Sequence, residues 1–188
     1  MEQVSTISVP AAARSRRRRG PLVWLPVAAA VAIVALLVAA VLRPADNNPL
    51  VLMNKPAPDF TIKLYGGGAL NLKSLRGKTV VANFWWSNCP PCIQEAPILA
   101  RQWQAWRNKG VVFVGIDELD VSEPRDFLKT YNVTYPTGPD PDYVNIEYGA
   151  TGQPETVFIS PRGIVTAKYV QPFTDDATLA HLIEGARA

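Results

Sequence analysis

Two cysteines, one histidine and two methionines are all the thiol, imidazole and thioether ligands that 188 residues provide. A zinc site takes about three or four protein ligands. The lone histidine, His181, stands near the C-terminus, far from Cys89 and Cys92, and reads as an ordinary helix residue. No metal centre is expected, and no Cys/His/Met cluster supports copper carriage. Positive charge is also scarce where a nucleic acid would need it. The formal charge of +3 arises in the first 43 residues, which hold six arginines (14, 16, 17, 18, 19 and 43) against one acid, Glu2. Residues 44–188 keep 13 basic and 15 acidic side chains, a formal −2, so no nucleic-acid partner is implied. After residue 43 there is no internal repeat and no low-complexity tract.

What the front of the chain does have is an arginine run followed by "PLVWLPVAAAVAIVALLVAAVL", with no charged residue until Arg43. About 20 apolar residues rising about 1.5 Å each span a bilayer core. Five arginines before the run against one after it put the N-terminus in the cytoplasm. The expected organisation is an Arg-rich cytoplasmic tail over 1–20, a transmembrane signal anchor over 21–43, a linker over 44–54 and a folded domain over 55–188. That makes a single-pass cell-membrane protein with its domain outside the cytoplasm. Val38 and Ala40 also fit the small-residue pattern of a cleaved leader, but the apolar run exceeds the roughly 7–15 residues of a leader's core. Either way the domain is exported.

Within that domain, "DFTIKL" and "ALNLKSL" flank "YGGG" as a hairpin with a glycine turn. "KTVVANFWW" and "VVFVGID" are continuous apolar runs suited to central strands of a parallel sheet. Between them "PCIQEAPILARQWQAWRNKG" places Ile93, Ala96, Leu99, Ala100, Trp103 and Trp106 at helical spacing and stops at Gly110. At that spacing Trp103 and Trp106 read as core. Strand, helix and strand make a βαβ unit. "SEPRDFLKTYN" predicts a short helix capped by Ser122, and "TYPTGPDPDYVN" a Pro- and Asp-rich loop. "ETVFIS", "PRG" and "IVTAKYV" make an antiparallel hairpin. A last helix begins near Thr174 with Asp175 and Asp176 in its first turn. The fold class is α/β: βαβ, a helix, then ββα around a mixed sheet, with an N-terminal hairpin.

Both cysteines fall in "FWWSNCPPC", at the junction of an apolar strand and a helix start. A permanent bridge between positions three apart closes a very short loop and constrains the unfolded chain little, so a structural staple explains the pair poorly. A redox pair explains it better. A helix N-terminus stabilises a thiolate at Cys89 and makes it the nucleophile. Pro90 and Pro91 suit the first helical positions and leave the Cys92 amide as the first donor able to face the Cys89 sulfur. Cys92, about one turn in, is placed to resolve a mixed disulfide. A CxxC beside a βαβ pattern reads as thioredoxin-like redox chemistry.

From about Lys55 to its C-terminus the chain resembles the membrane-anchored thioredoxin-like proteins of the TlpA, ResA and CcmG (DsbE) type. The resemblance rests on "APDF", "LKSLRGKTVVANFW", "CPPC", "EAP" and "YGATGQPETVFISPRG". It implies a thiol–disulfide oxidoreductase, a protein-disulfide reductase whose only cofactor is its own Cys89–Cys92 disulfide. Pro154 matches the family's cis-proline, whose loop packs on the CxxC and offers backbone hydrogen bonds to an extended substrate; Gln153, Asn88, Pro90 and Pro91 line the same region. Glu95 matches a glutamate near the buried cysteine and would shuttle a proton there, although a first-turn Glu is also a common solvated residue. Asn83 stands where ordinary thioredoxins carry a buried aspartate. Trp85 and Pro97, the latter matching a helix-kinking proline, complete the structural surroundings. The family usually has Trp before the first cysteine, and this chain has Asn88, which bears on access, partner choice and the Cys89 pKa.

The resemblance also implies partners: disulfides in exported proteins such as apocytochrome c, and a membrane partner supplying electrons. Residue patterns leave the redox direction open, since an oxidant that introduces disulfides has the same motif. A non-catalytic anchored binding module is the rival from another class. A peroxidase of the peroxiredoxin kind would carry Thr three before its cysteine, where this chain has Trp86.

Overall fold

The computed structural model describes residues 25–41, 52–120, 123–141 and 143–188. The predicted cytoplasmic tail (1–20), the ends of the predicted anchor, most of the predicted linker and Ser122 lie outside the described residues. The chain divides into two units, Met1–Pro44 and Ala45–Ala188.

The first unit contains one described helix, α1 (Leu25–Val41), of 17 residues, with no charged side chain. Valine, isoleucine and leucine side chains from Val27 to Val38 are all exposed. Seventeen residues rise about 26 Å, short of the ~30 Å hydrocarbon core. Among the described residues no helix is long and apolar enough to cross a membrane.

The second unit has a thioredoxin-like α/β fold built on a five-stranded mixed sheet. Its strands are β3 (Thr79–Trp85), β4 (Val111–Asp117), β5 (Thr137–Pro139), β6 (Glu155–Ile159) and β7 (Val165–Tyr169), in the order β5-β4-β3-β6-β7. β3 and β4 pair parallel, as do β4 and β5, while β3–β6 and β6–β7 are antiparallel. The N-terminal hairpin, β1 (Thr61–Lys63) and β2 (Ala69–Asn71), forms a separate two-stranded sheet. The "LKSL" that follows closes a 3-10 turn capped by the Asn71 side chain.

Both faces of β3 are buried, which is why its sequence is apolar without alternation. Val80, Ala82 and Phe84 pack with Phe60, Ile62 and Tyr148 on one side of the sheet. Val81 packs on the other side with Leu99 and Trp106 of α2 (Pro90–Trp106) and Leu179 and Ile183 of α5 (Asp176–Arg187). Trp106 is in this core, and Trp103 packs against the rings of Phe113 and Tyr135. Burial of these side chains, at about 1.5–3 kcal/mol each, is the main force holding α2 and α5 on the sheet.

Three expectations need correction. The "TYPTGPDPDYVN" segment is not all loop: it supplies β5 and the short α4 (Val144–Glu147). As an edge strand β5 tolerates Pro139, and a Cβ at Gly138 would overlap the Lys63 carbonyl oxygen, so glycine lets the hairpin approach. The helix after β4, α3 (Arg125–Thr130), has Pro124 at its cap and no side-chain cap bond; the expected cap, Ser122, lies outside the described residues. Helix α2 ends at Trp106 and reaches Gly110, at φ +78°, only through a turn. At the last helix Asp175 is the cap, its side chain accepting from the Thr178 amide, and Asp176 opens the first turn.

Candidate active site

β3 delivers the site. Its seven buried residues end at Trp85, and the chain then turns through Trp86, Ser87 and Asn88 into α2. The turn is held from outside: both oxygens of Asp120 accept from Ser87, one from its amide at 2.8 Å and one from its hydroxyl at 2.6 Å. Asp120 in turn donates its amide to Asp117 (3.2 Å), whose other oxygen accepts from the Tyr65 hydroxyl at 2.8 Å. Burial pushes the Asp117 carboxyl up to about 6.

Cys89 is the cap of α2, with extended backbone, and its sulfur accepts the Cys92 amide at 3.2 Å. Pro90 and Pro91 fill the first two helical positions, so no amide precedes that of Cys92. The two sulfurs are joined as a disulfide. Cys89 is only 3% exposed and Cys92 2%, because Trp85 packs beside them, with Trp86, Phe127 and Leu128 against that cluster. Trp85 stacks on Phe127 of α3 with ring centroids 4.4 Å apart. Aromatic cover thus comes from Trp85, Trp86 and α3, while Asn88 and Pro90 are exposed and Pro91 is half-buried. Asn88 borders a cleft of about 580 Å³ whose other wall is formed by α3, including Phe127, and by Tyr131 just after it.

Beneath the pair, one helical turn beyond Cys92, lies Glu95, fully buried. One carboxylate oxygen accepts from Asn83 Nδ2 at 2.8 Å and the other from the Phe173 amide at 3.2 Å. Asn83 donates a second hydrogen bond to Thr156 Oγ1 at 3.1 Å. Burial pushes the Glu95 carboxyl up to about 7 against the pull of these donors. The helix runs on through Pro97, whose ring removes the bond to the Ile93 carbonyl.

β6 pairs with β3 so that Glu155 stands opposite Phe84, and in the loop just before it the Gln153–Pro154 peptide is cis. Pro154 is buried and Gln153 half-buried. Glu155 holds this loop: one oxygen accepts from the amides of Thr151 (2.7 Å) and Gly152 (3.2 Å) and from the Thr151 hydroxyl. Its other oxygen pairs with Lys168 of β7 at 2.6 Å, both side chains being buried. Lys168 also donates to the carbonyls of Tyr148 and Gly149.

The fold therefore gathers Asn83, Trp85, Cys89, Cys92 and Glu95 at the C-terminal end of β3, with Asn88 on the rim. Four contributors escaped the sequence reading: Asp117, Glu118, Asp120 and Phe127. The three acids had one signal, position, since "DELD" sits at the C-terminal end of a central strand, where open α/β sheets place their sites; Phe127 had none.

Residues 53–168 match the AhpC/TSA family. A thioredoxin-like protein of Bacillus subtilis, YneN, is 32% identical over 121 residues, which cover 63% of this chain and 71% of YneN. The thiol-disulfide oxidoreductase ResA of the same organism is 33% identical over 114 residues, covering 58% of this chain and 62% of ResA. A crystal structure of a putative thiol:disulfide interchange protein DsbE from Chlorobium tepidum aligns with a TM-score of 0.65 at 27% identity, covering 71% of this chain and 96% of that one.

Proposed function

We propose, for a chain that belongs to the AhpC/TSA family and is a thiol–disulfide oxidoreductase of the ResA and DsbE kind, that it works as a reductant of disulfides in exported proteins. The observation that carries the direction is the burial of both sulfurs among Trp85, Trp86, Phe127 and Leu128. An apolar enclosure penalises a thiolate and favours the neutral disulfide. Strong oxidants of this chemistry have the opposite bias, a stabilised reduced form.

In the forward cycle the Cys89 thiolate, its charge eased by the Cys92 amide and the start of α2, attacks one sulfur of a substrate disulfide. A Cys89–substrate disulfide forms and the other substrate sulfur leaves as a thiolate, which takes up a proton. Cys92 then loses its proton and attacks Cys89; the second substrate sulfur departs and the Cys89–Cys92 disulfide remains. Two electrons pass to the substrate. Glu95, one helical turn beyond Cys92 and with a carboxyl raised to about 7, takes the Cys92 proton in this reading. The Gln153–Pro154 loop lies alongside as the backbone partner for an extended substrate strand, with Asn88, Pro90 and Pro91 on the facing rim.

The same reading puts the domain outside the cytoplasm. The arginines at 14–19 and the uncharged run after them favour a membrane anchor with a cytoplasmic N-terminus. Electrons would come from a membrane partner, and apocytochrome c, whose haem-binding cysteines must be reduced, is the substrate the resemblance favours. A trapping experiment tests the cycle: reduced Cys92→Ser chain, mixed with a disulfide-closed peptide, should accumulate a covalent adduct by mass spectrometry. Adduct formation by a Cys89→Ser chain, with none from Cys92→Ser, would reverse the roles.

A further inference from the structure

Glu118 directly follows β4 and meets three parts of the site. Its backbone amide donates to the Trp85 carbonyl at 2.9 Å, at the last residue of β3 before the CxxC turn. One side-chain oxygen, Oε2, accepts from Gln153 Nε2 at 2.6 Å and from Asn145 Nδ2 of α4 at 2.8 Å. The other, Oε1, is buried and has no hydrogen-bond partner among the described residues. Burial raises the carboxyl above its ordinary range, while the two amide donors pull it down.

A carboxylate with one oxygen shut away from water is a costly way to fill space. The arrangement makes sense if holding Gln153 is worth that cost. Gln153 is the residue before cis Pro154, and its neighbours Thr151 and Gly152 are already fixed from below by Glu155. Glu118 adds the lateral restraint. At 2.6 Å the contact is short for an N–H···O hydrogen bond, and it ties the Gln153 side chain to Glu118.

We propose that Glu118 is the positioning residue of the substrate-binding loop: by gripping the Gln153 side chain it presets the backbone of residues 152–154 for pairing with an extended polypeptide. The proposal rests on the reading of the Gln153–Pro154 loop given above. A preset strand-like backbone binds peptide through main-chain hydrogen bonds without first being ordered. A small disulfide with no peptide backbone draws no benefit. Glu118 therefore sets how strongly polypeptide disulfides are preferred over small ones.

The test is steady-state kinetics of the full chain, re-reduced by dithiothreitol with the enzyme-free rate subtracted, with two probes, a peptide closed by one disulfide and hydroxyethyl disulfide. Glu118→Ala should raise KM for the peptide about tenfold with kcat within about twofold, and move KM for hydroxyethyl disulfide less than about twofold. Glu118→Gln keeps an acceptor oxygen for both amides and should bring peptide KM back to within about threefold of the parent. Gln153→Ala should match Glu118→Ala, with the double variant no worse than either single one. Circular dichroism melts establish that each variant is folded.

Equal KM increases for both probes, a fall in kcat alone, or additive Glu118 and Gln153 effects would overturn the proposal. Pro154→Ala separates it from the reading beneath it. A raised peptide KM in Pro154→Ala without one in Glu118→Ala sinks the role of Glu118 and leaves the loop standing. An unmoved peptide KM in Pro154→Ala removes the loop, and Glu118 with it.

Discussion

At the scale of single residues, the chemistry turns on groups held in unfavourable protonation states. Glu95 is the clearest. Its carboxyl is raised by burial to about 7 from an ordinary 4.5, so between those values the folded chain binds a proton that the unfolded chain has released. Stability conferred by the protonated form is complete below pH 4.5 and is lost as pH rises to about 7. Urea denaturation from pH 4.5 to 7 should show the parent losing on the order of 3 kcal/mol relative to Glu95→Gln, which cannot ionise. Parallel pH profiles for the two proteins would mean that Glu95 is not held protonated. Cys89 and Cys92 could be picked out because their spacing at a strand-to-helix junction is itself the signal, whereas Glu95 and Asn83 were implied by the family resemblance. Glu118 and Asp120 could not, because an acid just after a strand looks the same whether it points to water or clamps a neighbouring loop.

Among elements, legibility followed burial. β3 and β4 could be read because both their faces are covered and their sequences are mostly apolar without alternation. Helix α2 could be read because its stripe meets the sheet. β5 and α4 could not: three and four residues long, they exist because β4 offers a free edge and Asp140 accepts from the amides of Val144 and Asn145, which composition does not reveal. The cis-proline loop is likewise held by tertiary partners, above all the buried Glu155–Lys168 pair. Removing one member strands the other charge, at a cost of about 3–5 kcal/mol. Lys168→Met should therefore lower stability by that order in urea denaturation, and adding Glu155→Gln should recover part of the loss. A Lys168→Met loss below about 1 kcal/mol would mean that the pair does not hold the loop.

At the scale of the whole molecule, the sequence distinguishes two units by charge: a front with an arginine run and an uncharged apolar run, and a slightly acidic domain. In a bacterial host the full chain should remain with membranes after alkaline carbonate washing, and protease added from outside should digest 45–188 while sparing an N-terminal tag. Release of a soluble domain with a new N-terminus near Ala40 would instead mark a cleaved leader. The α/β class and the order of the longer elements followed from periodicity and turn residues, since both depend on local sequence. The direction of electron flow did not, because it depends on which redox form the assembled enclosure around Cys89 and Cys92 favours. That direction is the central claim, and the reduction potential measures it most directly. The full chain is equilibrated with thiol buffers of defined potential and its free thiols are counted by alkylation and mass spectrometry. The account predicts a value near that of thioredoxin, about −270 mV, and a value near about −120 mV, that of a strong disulfide donor, would contradict it.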